Sequence, residues 1–220
     1  MLFRSATLGG GTAAAHLGVA KTDVAVPVGR PESPVLSMKI PAADPKLIAE
    51  LKKAGLLVIP LSKELNQLEI SAVNVGSFND VQAVLLPRLA DQIVWLKLGD
   101  TQVSDAAMTQ IARLKNLQKL HLEQTKITDA GLKQLAILPY LEYLNLYGTS
   151  VTDTGLQSLS GFKSLQTVYL WQTNVTEAGL VAQRKAMPGV EFVGGLDEQS
   201  ITPFTKNKSD RTTGSNEGKK

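Results

Sequence analysis

The chain has 220 residues, of which 43% are hydrophobic, so it is long and apolar enough to bury a sizeable core. Its formal net charge is +3, and the five basic and two acidic side chains of residues 206–220 account for all of that excess. Nucleic-acid binders concentrate Lys and Arg on a folded surface, so we expect no nucleic-acid partner. The sequence contains no Cys, which excludes disulfides, thiolate metal sites and cysteine nucleophiles.

The two ends of the chain lack the periodicity of folded elements. Residues 1–42 are rich in Gly, Ala, Pro and Val, and we predict a linker or disordered segment there. Residues 196–220 are polar, and we predict a disordered tail. No apolar run approaches the roughly 18 to 20 residues that cross a bilayer, so we expect no membrane insertion by this chain itself.

Residues 43–69 predict a small N-terminal cap made of a helix and a strand. Asp44 and Pro45 are typical of a helix N-cap and first turn, and Gly55 is typical of a helix end. The apolar run 56–60 then predicts a short strand. Because the first repeat of a stacked array has no neighbour, such a cap would cover its apolar end.

A repeat dominates the sequence between residues 70 and 195. A weak copy begins at Ile70, and the strand-like residues from Val190 open a turn that is not completed. Self-similarity at a fixed period marks a solenoid, in which each repeat buries its apolar face against the next. Four full blocks share one pattern and begin 24 residues apart, at Ile93, Leu117, Leu141 and Leu165.

The pattern within each block predicts a strand followed by a helix. In the block from Leu117, the alternating residues Leu120 and Leu122 should point inward from a half-buried strand. Thr128 stands at the helix N-cap, and Asp129 behind it favours the positive end of the helix dipole. A Gly inside a helix costs about 1 kcal/mol relative to Ala, so the recurrence of Gly131 in the next two blocks predicts a close approach to the neighbouring repeat.

Two further polar positions recur at the turns. A Thr follows each strand, and we predict a hydroxyl ladder that satisfies backbone groups between stacked turns, formed by Thr101, Thr125, Thr149 and Thr173. The alternative, a row of catalytic hydroxyls, lacks any base. The repeated Thr-Asp pairs are compatible with a metal site, but helix capping explains them without a ligand.

The motif L-x-x-L-x-L-x-x-T-x-(I/V)-T-D-x-G-L resembles the leucine-rich repeats of bacterial proteins. The resemblance implies an α/β fold of the ribonuclease-inhibitor-like type. In this leucine-rich-repeat solenoid, parallel strands would line the concave face and helices would line the convex face.

Polar-side strand residues should project onto the concave face, where successive repeats align them in columns. Both Trp and three of the four Tyr residues of the chain fall in these columns. Because Tyr and Trp combine apolar area with a polar handle, we predict that this face binds a protein or peptide. Alternatively, stacking of Tyr147 with Trp171, and of Tyr143 with its neighbours, only stabilises the sheet. The predicted contact residues are Trp95, Lys97, Lys119, His121, Glu123, Tyr143, Asn145, Tyr147, Tyr169 and Trp171.

The columns carry no enzyme motif. His121 and Glu123 lie two residues apart, but general-base catalysis would also need an adjacent nucleophile. The sequence has no phosphate-binding loop, metal-ligand spacing or nucleophile elbow, so we predict a monomeric, non-enzymatic protein without catalytic residues, metal or cofactor. Since Trp and Tyr also stack on sugar rings, a carbohydrate or cell-wall binder is a second hypothesis.

The strings LEYLNLYGTSVTDTGL and LQTVYLWQTNVT are similar to the C-terminal repeat array of certain large bacterial membrane proteins, where the array follows a cytochrome c-like domain. This resemblance covers residues 48–195. It implies an extracytoplasmic position on the periplasmic side, with the repeats as an accessory scaffold beside a redox module. A cytoplasmic location is the alternative. The haem domain of such proteins carries Cys-x-x-Cys-His, and no Cys stands in this sequence.

Overall fold

The structure is a computed structural model, and it describes residues 34–194. The predictions made for residues 1–33 and 196–220 lie outside the described residues. The α-helices are α1 (Pro45–Lys53), α2 (Asp80–Ala83), α3 (Asp105–Ile111), α4 (Asp129–Leu135), α5 (Asp153–Gln157) and α6 (Glu177–Ala186), with short 3-10 helices at Pro34–Ser37, Leu86–Leu89 and Ser158–Gly161. The strands are β1 (Leu57–Pro60), β2 (Leu68–Ser71), β3 (Ile93–Lys97), β4 (Lys119–His121), β5 (Tyr143–Asn145), β6 (Thr167–Tyr169) and β7 (Glu191–Val193).

The strands form a sheet whose order in space is their order along the chain. β1 runs antiparallel to β2, and each later pair of neighbours in the described sheet is parallel. Equivalent residues of successive repeats lie opposite each other, as Leu120 does with Leu96 on one side and Leu144 on the other. Helices connect the parallel strands, as a crossover connection requires. The predicted α/β repeat fold is confirmed.

The inward apolar residues of strands and helices form one core. Leu120 and Leu122 of the second full repeat are fully buried, and so are Leu132 and Leu135 of α4. Equivalent residues of the neighbouring repeats belong to the same cluster. Since burying one such side chain contributes about 1.5 to 3 kcal/mol, each repeat is stabilised mainly by the neighbours that cover it.

An aspartate in the first turn of a helix hydrogen-bonds to the next repeat. Asp129 accepts a hydrogen bond of 2.8 Å from the backbone N–H of Thr152 and one of 2.6 Å from its hydroxyl. Bonds to a carboxylate are stronger than those between neutral groups, so these pairs hold adjacent repeats together. The same two bonds join Asp80 to Ser104, Asp105 to Thr128 and Asp153 to Thr176.

The Ser and Thr residues of these pairs are the helix N-caps that the sequence predicts. Thr128 Oγ1 accepts a hydrogen bond from the backbone N–H of Ala130, and Thr152 Oγ1 accepts one from Thr154. Each hydroxyl therefore accepts from its own helix and donates to the aspartate of the preceding repeat. Within residues 34–194, no group of three or more His, Cys, Asp or Glu residues is arranged to hold a metal ion.

The recurring helix Gly lies against that same aspartate. A Cβ atom built on Gly155 would collide with Oδ1 of Asp129, and one built on Gly179 would collide with Oδ1 of Asp153. The predicted close approach between repeats is therefore confirmed. What approaches the Gly is a carboxylate rather than an apolar surface.

The Thr that follows each strand bonds within its own turn. Thr149 is 3% exposed, and its hydroxyl donates a 2.7 Å hydrogen bond to the carbonyl of Leu146. Thr101, Thr125 and Thr173 make the equivalent bond to the carbonyl three residues earlier. The predicted ladder between stacked turns is wrong, because the chain turns back after the strand and brings the hydroxyl onto its own carbonyl.

That turn is made by a residue in the left-handed region immediately before the Thr. Gly148 has φ 67, and Gln172 has φ 56. Asp100 and Gln124 occupy the same position with φ 57 and 53. A residue with a side chain pays roughly 1 to 2 kcal/mol for this conformation, whereas Gly adopts it freely.

The N-terminal cap matches the sequence prediction in its helix and strand. Asp44 accepts from the backbone N–H of Lys46, α1 ends at Lys53, and Gly55 has φ 88. β1 then covers the outer edge of β2. A helix and a strand are thus present where Asp44, Pro45 and Gly55 predict them, and their role as a cap stays a prediction.

Residues 34–42 differ from the predicted linker. Val35 is fully buried, and its carbonyl accepts a 2.9 Å hydrogen bond from Gln67 Nε2, which also donates to the carbonyl of Met38. Asn66 donates in the same way to the carbonyl of Ile40 at 2.7 Å. Asn66 and Gln67 lie just before β2, about 30 residues after the carbonyls to which they donate. The composition of residues 34–42 therefore gives no sign of these hydrogen bonds.

We expect Gly155→Ala to destabilise the protein, because its Cβ would displace the Asp129 carboxylate from Thr152. Overpacking and a broken charge-assisted bond each cost about 1 to 3 kcal/mol, so the free energy of unfolding should fall by at least that much. Urea unfolding measures this free energy. Gly189→Ala is the control, since a Cβ there meets no heavy atom within 4 Å. Wild-type stability in Gly155→Ala would contradict the packing described for the aspartate.

We expect Gln172→Gly to raise the free energy of unfolding by up to about 1 kcal/mol. Gly adopts the left-handed conformation without the steric strain that Gln172 has there, which stabilises the folded chain. The greater conformational freedom of Gly in the unfolded chain offsets part of this gain. Gln102→Gly is the matched control, because Gln102 is exposed and its φ is not positive. The two variants should shift the urea midpoint in opposite directions. A shift in the same direction would show that the turn is not strained.

Candidate binding surface

One face of the sheet packs on the helices, and the other, which we name the open face, carries the alternate strand residues. The pairing register aligns these residues in rows across the strands. The first row is Glu69, Trp95, Lys119, Tyr143, Thr167 and Glu191, and the second is Ser71, Lys97, His121, Asn145, Tyr169 and Val193. A third row, just beyond the strands, is Gly99, Glu123, Tyr147 and Trp171.

The structure places every predicted contact residue on the open face, and each of them is partly exposed. Two regularities produce this arrangement. Alternation along each strand sends every second side chain outward, and the constant repeat length keeps equivalent residues opposite each other. Their position on one face is therefore observed, whereas their contact with a partner remains a prediction.

Aromatic rings meet at the centre of the open face. The rings of His121 and Tyr143 have centroids 4.9 Å apart, and those of Tyr143 and Tyr169 are 5.3 Å apart. Burial, together with the nearby Tyr169 and Glu123, raises the pKa of Tyr143 to about 12. The ring of Tyr143 thus contacts both neighbouring rings, with the ring planes tilted by 35° and 44°.

The expected stacking of Tyr147 with Trp171 is not seen. In the part of the chain that the structure describes, neither side chain makes a ring contact. Both belong to the third row, just beyond the strand ends, and both are partly exposed. Like Trp95, they are therefore large aromatic side chains of this face that ring–ring contact does not account for.

The lysines of the open face lie on β3 and β4 and already have partners. Lys97 Nζ lies 2.7 Å from Glu69 Oε1, and Lys119 Nζ lies 4.2 Å from the centre of the Trp95 ring. The first contact is an ion pair and the second a cation–π contact. Trp95 Nε1 is buried and has no hydrogen-bond partner among the described residues. The ring of Trp95 thus contacts the Lys119 ammonium, while its indole Nε1–H has no hydrogen-bond partner among the described residues.

Glu123 lies beside His121 in the third row. The Nδ1 atom of His121 is 3.5 Å from Oε2 of Glu123, which is too long for a good hydrogen bond, and Oε2 has no hydrogen-bond partner among residues 34–194. Burial alone would raise the pKa of Glu123. The adjacent His121, the residue's own backbone amide and Lys97 outweigh burial, and the pKa is lowered. Glu123 is therefore an ionised carboxylate at neutral pH.

The sequence prediction missed two apolar residues of the open face. Leu57 pairs with Ser71, and Ile59 pairs with Glu69, so both side chains share the face of the second and first rows. They are 39% and 44% exposed. The apolar run that contains Leu57, Val58 and Ile59 was visible in the sequence, and Val58 packs on the core. The face that Leu57 and Ile59 share was not visible, because it depends on antiparallel pairing with β2.

A family model described as Leucine Rich repeat matches residues 113–136 and 138–160. The chain carries leucine-rich repeats. Its α/β fold is a leucine-rich-repeat solenoid with a parallel sheet. Domains of this kind generally mediate protein–protein interaction and are typically non-enzymatic.

Among solved structures, an internalin from Listeria monocytogenes str. 4b F2365 is similar at 22% sequence identity and a TM-score of 0.37. The similarity covers 49% of this chain and 30% of the internalin chain, so this chain spans less than a third of that relative. No curated protein matches the sequence. Neither finding bears on the expected cytochrome c-like neighbour. None of the described helices is both long and apolar enough to cross a membrane.

We expect Glu123→Gln to make stability less dependent on pH in the acid range. The pKa of Glu123 is lower in the folded protein than its usual 4.5, so the unfolded chain binds this proton more readily. Glu123 thus contributes stability above about pH 4.5 that is lost as the pH falls through the folded-state pKa. Urea midpoints between about pH 6 and pH 3 should fall more in wild type than in the variant. The control for the loss of one charge is Glu177→Gln, which removes an exposed carboxylate on α6. Parallel curves for wild type and Glu123→Gln would contradict the assignment.

Proposed function

We propose that this leucine-rich-repeat chain is a non-enzymatic module that binds a protein or peptide through its open face. The observation that carries the proposal is the alignment of partly exposed aromatic side chains in rows on one face of the sheet. Buried contact with Tyr and Trp provides much of the binding energy of protein interfaces. Tyr147 and Trp171 suit this role best, since stacking does not occupy their rings.

The size of the open face fits an extended segment of a partner. From β2 to β7 the sheet has five spacings between neighbouring strands, each about 4.8 Å, so the face is on the order of 24 Å wide. An extended chain advances about 3.3 Å per residue, so about seven residues would cross it. A folded partner would have to bury roughly 800 Å² on each side to form an interface of standard size.

No Ser or Thr hydroxyl among the described residues hydrogen-bonds to the imidazole of His121. The pairing of His121 with Glu123 therefore lacks the nucleophile that a hydrolase would need. A binding role for these two residues needs no such group, and both are partly exposed on the open face.

We expect Tyr147→Ala and Trp171→Ala to weaken binding of peptides selected on the wild-type protein from a displayed random library. Each variant should raise the Kd at least tenfold, because a truncated aromatic hot spot costs about 2 kcal/mol or more. Biolayer interferometry with the selected synthetic peptides measures this. The melting temperature should fall by no more than about 4 °C, the shift that about 1 kcal/mol produces in a protein of this size.

The control is Lys133→Ala, an exposed residue of α4 on the helix side of the sheet, which should leave peptide binding unchanged. Peptides that bind all variants equally, or a library that yields no peptide, would contradict the proposal. A panel of oligosaccharides run beside the peptides tests the sugar hypothesis. Sugar binding that needs Tyr147 and Trp171, without peptide binding, would replace the proposed partner by a carbohydrate.

A further inference from the structure

The carboxylate of Glu123 has unused hydrogen-bond acceptor capacity. Its Oε2 atom is buried without a hydrogen-bond partner in the described part of the chain, while the side chain as a whole keeps 28% exposure. The carboxylate leans over Gly99, where an added Cβ would come within 2.6 Å of Oε1. The lack of a side chain at Gly99 therefore makes room for the carboxylate. A donor from a partner can approach the exposed part of this side chain.

No lysine of the open face hydrogen-bonds to this carboxylate. The two lysines are engaged elsewhere, Lys97 with Glu69 and Lys119 with the Trp95 ring. His121 lies 3.5 Å away, outside good hydrogen-bond geometry. The Oε2 atom keeps unused acceptor capacity, and a cation of the partner that donates to this carboxylate would add a charge-assisted hydrogen bond.

Beyond Lys119 the open face is aromatic and acidic. From His121 to Val193 its rows contain no Lys or Arg and two carboxylates, Glu123 and Glu191. The rings of His121, Tyr143 and Tyr169, in which Tyr143 contacts the other two, lie beside Glu123. Aromatic faces attract cations, and a carboxylate next to them adds charge complementarity.

We propose that the partner inserts an arginine side chain here, so that its guanidinium donates to the Glu123 carboxylate and stacks on the ring row of His121, Tyr143 and Tyr169. This inference rests on the proposed peptide-binding function and names the chemistry of the partner. Arginine fits better than lysine, because a planar guanidinium can stack on a ring while its N–H groups point at a carboxylate. A lysine ammonium is a hydrated point charge and cannot do both.

The test uses peptides selected on the wild-type protein, synthesised with arginine, lysine or citrulline at each selected arginine position. Citrulline keeps the shape of arginine and removes the charge. We expect arginine to be enriched over the unselected library and the citrulline peptide to bind at least tenfold more weakly. Glu123→Gln should weaken the arginine peptide to a similar extent, and citrulline should then cause little further loss. Glu177→Gln is the matched control and should bind as wild type does.

The outcomes separate this inference from the proposed function. Selected peptides that depend on Tyr147 and Trp171 but carry no enriched arginine, or that bind Glu123→Gln as tightly as wild type, would overturn the arginine site and leave the peptide-binding function standing. A lysine peptide as tight as the arginine peptide would overturn the stacking geometry. A library that yields no binder would overturn both proposals.

Discussion

The two hydrogen bonds from a Thr to the aspartate of the preceding repeat set the geometry on which the rest of the structure depends. Asp129 receives the N–H and the hydroxyl of Thr152, and the hydroxyl at the same time accepts from the next helix. One carboxylate thus fixes where the following helix begins. Because a strand precedes each helix at a constant distance in sequence, fixing the helix starts also fixes the strand register. The glycine beside the carboxylate keeps this link short.

The constant register gives the open face its chemical character. Residues that lie a fixed number of positions apart in sequence become neighbours across the strands, so Tyr143 comes to lie between Lys119 and Thr167. Along the sheet, Leu57 and Ile59 lie on β1 and the lysines of the face lie on β3 and β4, whereas its rows from β5 to β7 contain Tyr and Glu but no Lys or Arg. We expect this difference between the two ends to favour one orientation of a bound partner.

Much of the fold could be predicted because its causes are local. A Ser or Thr followed by Asp caps a helix by short-range bonds, and alternation along a strand assigns its two faces. The caps, the inward leucines and the shared face of the predicted contact residues could therefore be inferred from the sequence, whereas the contact itself stays a prediction. The features that were missed depend on residues far apart. The bonds from Gln67 to Val35 and Met38, and the placement of Leu57 and Ile59 by β2, leave no local sign. The direction of the Thr149 hydroxyl was missed because it depends on the left-handed turn at Gly148.

The reversed direction of β1 limits how such an array can lengthen. A leucine-rich repeat offers a parallel strand with its helix behind it, and the outer edge of β1 offers an antiparallel neighbour that ends in Pro60, which has no N–H to donate. An additional coil placed before β1 would find no matching parallel edge, and in β1 no following repeat whose helix N-cap Ser or Thr could donate to its aspartate. Gain or loss of whole repeats by unequal recombination would therefore be tolerated only after β2, and every such event would widen or narrow the open face by one strand.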